Sequence, residues 1–339
     1  MTQPPRLPLP QPRSAPNTPP TTGPSQPATA PAARVLSLGA GRQSSTLLML
    51  SAEGAIPKYD WAVFADTGWE TKQVYKHLDE LEAKIARPAN IPIHRVNVGN
   101  IRHDALDPKH RFASMPLHVL NRDGTAGMIR RQCTSEYKLK PIKANVRLNL
   151  GAPVSPEGRV GRVPRGRYVL QSIGISTDEF TRAKPSGVQY AVNVFPLLDL
   201  GMSAEDCVRF LQTRGWGATP RSACVGCPFH GNATWRDMRD NRPDDWADAV
   251  AFDHAIRAGN ARGNENGKQL LGQAFLHRSL MPLDEAPLDG PAPHRPRRHR
   301  ATPPAPEVPE EELEEGDPDG CSPWGCRSGS PVQSVQSLN

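Results

Sequence analysis

The chain has 339 residues, a net charge of +6 and a mean hydropathy of −0.55, and 37% of its residues are apolar. No stretch approaches the roughly 20 consecutive apolar residues of a transmembrane helix, and the N-terminus lacks the apolar segment of a secretory signal. Six cysteines are too few for a disulfide scaffold in a chain this long. We therefore expect a cytoplasmic protein without a membrane partner, whose reduced cysteines serve redox or metal chemistry.

Proline is concentrated at the two ends of the chain. Of 37 prolines, 11 precede Arg34 and 12 lie from Pro282 onward. Segments 1–33 and 282–339 are therefore predicted to be disordered Pro-rich tails, and 34–281 to be one folded domain with a cysteine-containing helical part.

The C-terminal tail also contains charge of both signs. A basic cluster at 294–300 is followed by an acidic cluster at 307–319. Opposed clusters of this kind are typical of a solvated tail, and the alternative is a nucleic-acid contact by the basic cluster.

The folded part alternates between predicted strands and helices. Short apolar runs predict strands at 35–38, 61–65, 93–98, 168–175 and, as a fifth strand or a crossing segment, 192–198. Helical patterns lie at 44–50, from Thr71, at 134–150, from Ser203, at 232–238 and at 243–258. This rhythm predicts an α/β fold with a parallel five-stranded sheet and helices on both faces.

A turn of small residues joins the first predicted strand to the first helix. It consists of Gly39, Ala40, Gly41, Arg42, Gln43, Ser44 and Ser45. Glycines allow close approach of the backbone, and the first N–H groups and the dipole of a helix attract anions. The turn is a candidate phosphate loop, and the alternative is an ordinary strand-to-helix turn.

A second loop follows the second predicted strand and contains Asp66, Thr67 and Gly68. Because the carboxyl ends of parallel strands lie at one edge of a sheet, it is expected beside the phosphate loop. Asp66 is a candidate to bind a ribose hydroxyl or a magnesium-bound phosphate, or else to be an acid at a helix N-terminus.

The folded part contains four cysteines, Cys133, Cys207, Cys224 and Cys227. Cys224 and Cys227 have the spacing that allows both sulfurs to bind one metal ion. With the other two they are candidates for a zinc or [4Fe-4S] site, and the alternatives are a redox-active pair or inert buried thiols. Cys321 and Cys326 in the tail are candidates for thiols delivered to an active site, or else an incidental pair.

Six segments, in order, resemble the phosphoadenosine phosphosulfate reductase family of the PP-loop, or adenine nucleotide α-hydrolase-like, superfamily. The resemblance covers about Arg34 to Ala258. The segments are SLGAGRQSSTLL, FADTGWE, RRQCTSEYKLKPI, GISTDEFTRA, VFPLLDLGMSAEDCVRFL and SACVGCPF. Gly39, Arg42 and Gln43 stand where the family has serine, lysine and aspartate.

The resemblance implies a Rossmann-like PP-loop fold and an enzyme that binds an adenine nucleotide, either phosphoadenosine phosphosulfate or ATP with magnesium. Gly174 would lie in this nucleotide site. Arg182 and Lys184 would bind its second anionic group. Cys207 would replace a cluster ligand that the chain lacks at Gln132. Cys321 or Cys326 would attack the sulfonate sulfur, and a thioredoxin-like partner would supply the reductant.

Two other functions remain open at this point. One is an ATP-dependent, iron–sulfur-containing sulfur transferase that acts on a nucleic-acid base. The other is a nucleotide-binding, metal-stabilised module without turnover, which the substitution by Gln43 and the charged tail would suit.

Overall fold

A five-stranded, all-parallel sheet forms the centre of the computed structural model, which describes residues 30–110, 115–259, 270 and 272–289. The strands of the described chain are β1 (Ala33–Ser37), β2 (Trp61–Asp66), β3 (Ile93–Asn97), β4 (His118–Asn121), β5 (Ala126–Met128), β6 (Val169–Ile173), β7 (Ala191–Val194) and β8 (Gly272–Phe275). The central sheet has the order β3–β2–β1–β6–β7. The predicted fold class is confirmed.

Helices follow most of these strands. They are α1 (Arg42–Ala52), α2 (Lys72–Leu81), α3 (Ile101–Leu106), α4 (Lys140–Asn149), α5 (Pro196–Asp199), α6 (Ala204–Gln212), α7 (Asn232–Asn241) and α8 (Pro243–Ala255). A short π-helical turn, Glu82–Ala86, extends α2, and a second one, Thr134–Leu139, precedes α4. A 3₁₀ segment, Thr177–Arg182, follows β6.

Two of the predicted helix starts have the expected caps. The Thr71 hydroxyl accepts a hydrogen bond from the backbone N–H of Val74 at 3.4 Å, which begins α2. Ser203 and Asp206 form a capping box at the start of α6. These side chains satisfy backbone N–H groups that have no partner inside a helix.

The central strands bury both of their faces because successive side chains point to opposite sides of a sheet. Leu36 and Phe64 lie in the hydrophobic cluster with α1, α2 and α6. Val35 and Val63 lie in the cluster with α4 on the other face. The predicted helices on both faces are therefore confirmed.

The sequence patterns did not predict a second, smaller sheet. Strands β5, β4 and β8 pair antiparallel in that order, and Val119 of β4 lies opposite Ala274 of β8. A separate hydrophobic cluster includes Ala274 together with Trp69, Trp235 and Phe252. This cluster packs the helical C-terminal part against the loop that follows β2.

The packed part of the chain extends slightly beyond the predicted segment 34–281. Ala33 belongs to β1, and Leu283 and Leu288 are buried in the cluster around Trp235. The fifth predicted strand ends at Val194, where the short helix α5 takes over. Within the described ranges no helix is long and apolar enough to cross a membrane.

Candidate nucleotide and thiol site

The predicted phosphate loop connects β1 to α1 at the carboxyl edge of the central sheet. Ala40 has a left-handed backbone, with φ of 55°, and Gly41 is the N-cap of α1. The backbone N–H of Gly39 donates to the Ser44 hydroxyl at 3.2 Å, and that hydroxyl lies 3.2 Å from the Gly41 carbonyl, to which it donates. The Ser44 side chain therefore closes the loop and sets the direction of the first helical turn.

Two other chain segments pack closely against this loop, at Gly174 and at Ser222. A β-carbon on Gly174, just after β6, would lie 3.0 Å from the backbone nitrogen of Ser44. A β-carbon on Gly41 would lie 3.2 Å from Cβ of Ser222. Gly174 is thus brought to the loop as predicted, and the loop lies between the end of β6 and the segment before Cys224.

Ser45 points into the core instead of towards a ligand. Its side chain is fully buried, and Oγ lies 3.0 Å from Nε2 of His77 on α2. The His77 ring meets Trp216 edge-on at 5.6 Å between centroids. Burial lowers the pKa of His77 to about 4, so the ring is neutral at neutral pH. Ser45 can therefore offer an anion its backbone but not its hydroxyl.

The buried histidines predict acid sensitivity. Burial lowers the pKa of His77 and of His277 to about 4, below the ordinary value of about 6.5. Between about pH 4 and 6.5 the unfolded chain therefore binds more protons, and the free energy of unfolding rises with pH. We expect His77 to account for a loss of about 2 kcal/mol between about pH 7 and pH 5. Urea denaturation across this range measures it.

The control for this experiment is an exposed side chain that does not titrate. His77→Gln should remove its share of the pH dependence, whereas Gln73→Ala on the exposed side of α2 should keep the wild-type profile. An unchanged profile in His77→Gln would mean that this ring titrates normally in the folded protein.

The loop after β2 fixes Asp66 through its Oδ1 atom. The backbone N–H of Gly68 donates to Oδ1 at 2.8 Å, and the Tyr75 hydroxyl donates to it at 2.7 Å. Burial raises the pKa of Tyr75, and the bond to Asp66 raises it further. Gly68 has φ of 73°, and a β-carbon there would lie 2.9 Å from Cα of Asn100. The carboxylate therefore has one fixed orientation.

Thr67 faces a buried cluster of side chains. Its hydroxyl donates to Oε1 of Glu70 at 3.1 Å and lies 3.2 Å from Sγ of Cys224. Nζ of Lys138 lies 3.3 Å from the same Glu70 oxygen. The Glu70 and Lys138 side chains are only 1% and 7% exposed, so this is a buried ion pair beside a thiol.

Three of the four predicted cysteines line one small cavity of ≈ 20 Å³, which we call the thiol cavity. Its lining includes Cys133, Cys224 and Cys227, together with Thr67, Arg131 and Lys138. A cavity of this size has room for about one water molecule. The cavity therefore brings Cys133 together with the two cysteines of the CxxC segment.

Cys207 is not among the residues that line the thiol cavity. It is fully buried on α6 in the hydrophobic cluster with α1 and the sheet. Burial raises the pKa of Cys207 to about 12, which keeps it as a thiol. The structure thus places Cys207 as an inert core residue, so the predicted four-cysteine set is not assembled. Cys321 and Cys326 lie outside the described residues.

The thiols do not form a single-ion site. Across residues 30–110, 115–259 and 272–289, no three His, Cys, Asp or Glu side chains are close enough together to hold one metal ion. The arrangement therefore does not fit zinc. The three sulfurs are donors of the type that binds iron–sulfur clusters, but a cavity with room for about one water molecule would have to open to admit a cluster.

The two candidate anion ligands after β6 differ in their surroundings. The Arg182 guanidinium forms an ion pair with Glu179, and both side chains are largely buried. Lys184 is exposed, and its carbonyl accepts a hydrogen bond from Asn193 on the edge strand β7 at 2.9 Å. Arg182 follows Gly174 by eight residues in the chain, and its charge is matched by Glu179.

A four-residue segment, 222–225, joins the phosphate loop to the thiol cavity, and we call it the bridging segment. Ser222 packs against Gly41, and Cys224 contacts Thr67. The backbone N–H of Val225 donates to the carbonyl of Trp69 at 2.9 Å. Ser222, Glu70, Tyr75 and His77 were not predicted as site residues, although Ser222 and Glu70 lay in the quoted segments SACVGCPF and FADTGWE.

Comparison with protein-family models finds none that matches the chain, and comparison with curated proteins finds no matching sequence. The resemblance to the reductase family therefore remains a prediction from the six segments.

Proposed function

We propose that the chain is an adenine-nucleotide-binding enzyme of sulfur chemistry, similar to phosphoadenosine phosphosulfate reductases. The observation that supports the proposal is the bridging segment, because Ser222 closely approaches Gly41 of the loop after β1 and Cys224, two residues later, lines the thiol cavity. The first turn of α1 and Arg42 would bind phosphate or sulfate oxygens. Asp66, with its fixed carboxylate, would contact the ribose or a magnesium ion.

With phosphoadenosine phosphosulfate as substrate, the residues would carry out a reduction in two steps. A thiolate attacks the sulfonate sulfur, an S–S bond forms, and the S–O bond breaks with its electron pair leaving on the adenosine bisphosphate. A second thiol, from the protein or from a dithiol reductant, then attacks the sulfur of the first thiol. A disulfide forms, and the S–S bond to the sulfonate breaks and releases sulfite. A thioredoxin-like dithiol supplies the two electrons that reduce the resulting disulfide.

The second candidate function is ATP-dependent sulfur transfer with an iron–sulfur cluster, and the three thiols around one cavity favour it. Cys133, Cys224 and Cys227 would hold the cluster, which supplies an iron site able to bind an activating or donor sulfur. The buried Lys138 near these sulfurs would offset their negative charge.

Anaerobic purification followed by iron and acid-labile sulfide analysis separates the two functions. Iron with sulfide, lost in a Cys224→Ser/Cys227→Ser variant, supports sulfur transfer. Iron-free protein that releases sulfite from phosphoadenosine phosphosulfate with thioredoxin supports reduction, and a Cys321→Ser/Cys326→Ser variant then tests whether the tail thiols attack. ATP binding without pyrophosphate release and without either activity would leave a non-catalytic module.

Nucleotide binding itself is tested at Arg42. We expect Arg42→Ala to weaken binding of the preferred nucleotide by about 10-fold or more, because charge-assisted hydrogen bonds contribute roughly 1.5–3 kcal/mol each. Calorimetric titration with magnesium ATP and with phosphoadenosine phosphosulfate measures it. Arg209→Ala on α6, whose guanidinium is paired with Asp206 at 2.5 Å, should bind as wild type does. Failure of the wild-type chain to bind either nucleotide contradicts the proposal.

A further inference from the structure

A second concentration of positive charge lies on the loop between α4 and β6. This arginine loop, residues 153–167, contains four exposed arginines within nine positions. They are Arg159, Arg162, Arg165 and Arg167. Glu157 is its single acidic residue, and it is exposed as well.

The arginine loop has a fixed backbone. The N–H of Ser155 donates to the Arg159 carbonyl at 2.9 Å, and the N–H of Gly161 donates to the Pro153 carbonyl at 2.7 Å. The Arg147 side chain on α4 donates to the Val160 carbonyl at 2.9 Å. Val163 packs against the hydrophobic cluster of this face of the sheet. A partner would therefore meet a preformed scaffold and lose little entropy in ordering it.

The four guanidinium groups are available to an outside partner. Over the parts of the chain that the structure describes, none of them forms an ion pair with a carboxylate. By contrast, Arg209 pairs with Asp206, and Arg239 pairs with Asp289. The arginine loop therefore presents charge that the fold itself does not neutralise.

The position of the loop separates it from the nucleotide site. It leads into the amino end of β6, where Val169 lies beside Ala33 at the start of β1. The phosphate loop follows the opposite, carboxyl end of β1. A partner on the arginine loop would therefore leave the nucleotide and thiol site open.

We propose that the arginine loop binds the phosphodiester backbone of a nucleic acid. Planar guanidinium groups match phosphate oxygens in two-point hydrogen bonds, and closely spaced arginines suit a polymer with regular negative charge. A membrane-binding surface would interleave bulky apolar side chains with the basic ones. Among residues 153–167 the exposed large hydrophobic side chain is Val154 alone, at 54%.

The test uses the full chain and fluorescence anisotropy with labelled single-stranded and duplex oligonucleotides over a range of salt concentrations. The test variant replaces all four arginines of the loop by alanine. We expect its affinity at low salt to fall by at least about 10-fold, and the slope of log affinity against log salt to decrease by about 3–4. Glu157→Ala should strengthen binding, which keeps the proposal testable if the fourfold variant folds poorly.

The matched control removes the same amount of charge from paired positions. It replaces Lys72, Lys84, Arg209 and Arg239, each of which has an ion-pair partner, by alanine. It should retain the wild-type salt slope. Equal losses of oligonucleotide affinity in both variants would show that net charge alone explains the effect, and this would overturn the proposal. A wild-type slope in the arginine-loop variant, or binding of anionic phospholipid vesicles but of neither oligonucleotide, would also overturn it.

Discussion

Replacing Lys138 by methionine is expected to lower the free energy of unfolding by about 3–5 kcal/mol. The substitution keeps most of the volume of the side chain but removes the ammonium group that lies 3.3 Å from the Glu70 carboxylate. That carboxylate is only 1% exposed, so its charge cannot be solvated in place of the lost partner. Urea denaturation followed by tryptophan fluorescence measures the change, since the chain has 6 tryptophans.

The control for this prediction is an exposed pair of the same type. Lys84→Met breaks an ion pair with Glu80 in which the side chains are 63% and 38% exposed, and it should change stability by less than about 1 kcal/mol. Adding Glu70→Gln to Lys138→Met should recover part of the loss, because it removes the buried charge. Equal effects of the two single lysine variants would contradict a buried, mutually dependent pair.

Gly226→Ala is expected to destabilise the fold by up to about 3 kcal/mol and to shift tryptophan fluorescence. A β-carbon at this position would lie 2.1 Å from the Trp69 ring. The ring cannot easily withdraw, because its Nε1 donates to Asp248 at 2.6 Å and its face meets Phe252 at 4.7 Å. Trp69 must therefore move, and the loop carrying Thr67 and Glu70 must move with it.

A glycine with open space provides the comparison. A β-carbon on Gly127 in β5 meets its nearest neighbour at 3.6 Å, an ordinary contact, so Gly127→Ala should leave unfolding and fluorescence nearly unchanged. Gly226→Ala with wild-type stability and emission would show that the CxxC segment does not depend on this close approach.

The central sheet could be predicted because its signals are local. Val35–Leu38 is apolar except for Ser37, and Trp61–Ala65 is a continuous apolar run, as expected of strands buried on both faces. Ser203 with Asp206 marks a helix start within four residues. Each of these features can be recognised in a few consecutive residues.

The smaller sheet could not be predicted in the same way. Strand β8 has four residues, and its partner β4 lies about 150 residues earlier in the chain. So short a segment has no clear periodicity, and its pairing depends on tertiary contacts that a single sequence does not reveal.

The sequence indicated which loops would lie together, but not the directions of their side chains. The strand-end rule placed Gly39–Gln43 beside Asp66, and cysteine spacing singled out Cys224 and Cys227. The directions of the Ser45 and Thr67 side chains, towards His77 and Cys224, follow from packing. No local signal separates an inward from an outward hydroxyl in a turn.

If the proposed nucleotide and thiol sites both operate, the bridging segment would make nucleotide occupancy and thiol chemistry thermodynamically reciprocal. Its Ser222 contacts the phosphate loop, and its Cys224 lines the thiol cavity. The loop and the cavity therefore share one short chain segment. If a bound nucleotide changes the equilibrium for oxidising or loading the cavity thiols by some factor, oxidation or loading must change nucleotide affinity by the same factor. The oxidation state of the surroundings would then set how much nucleotide the protein holds at a given concentration.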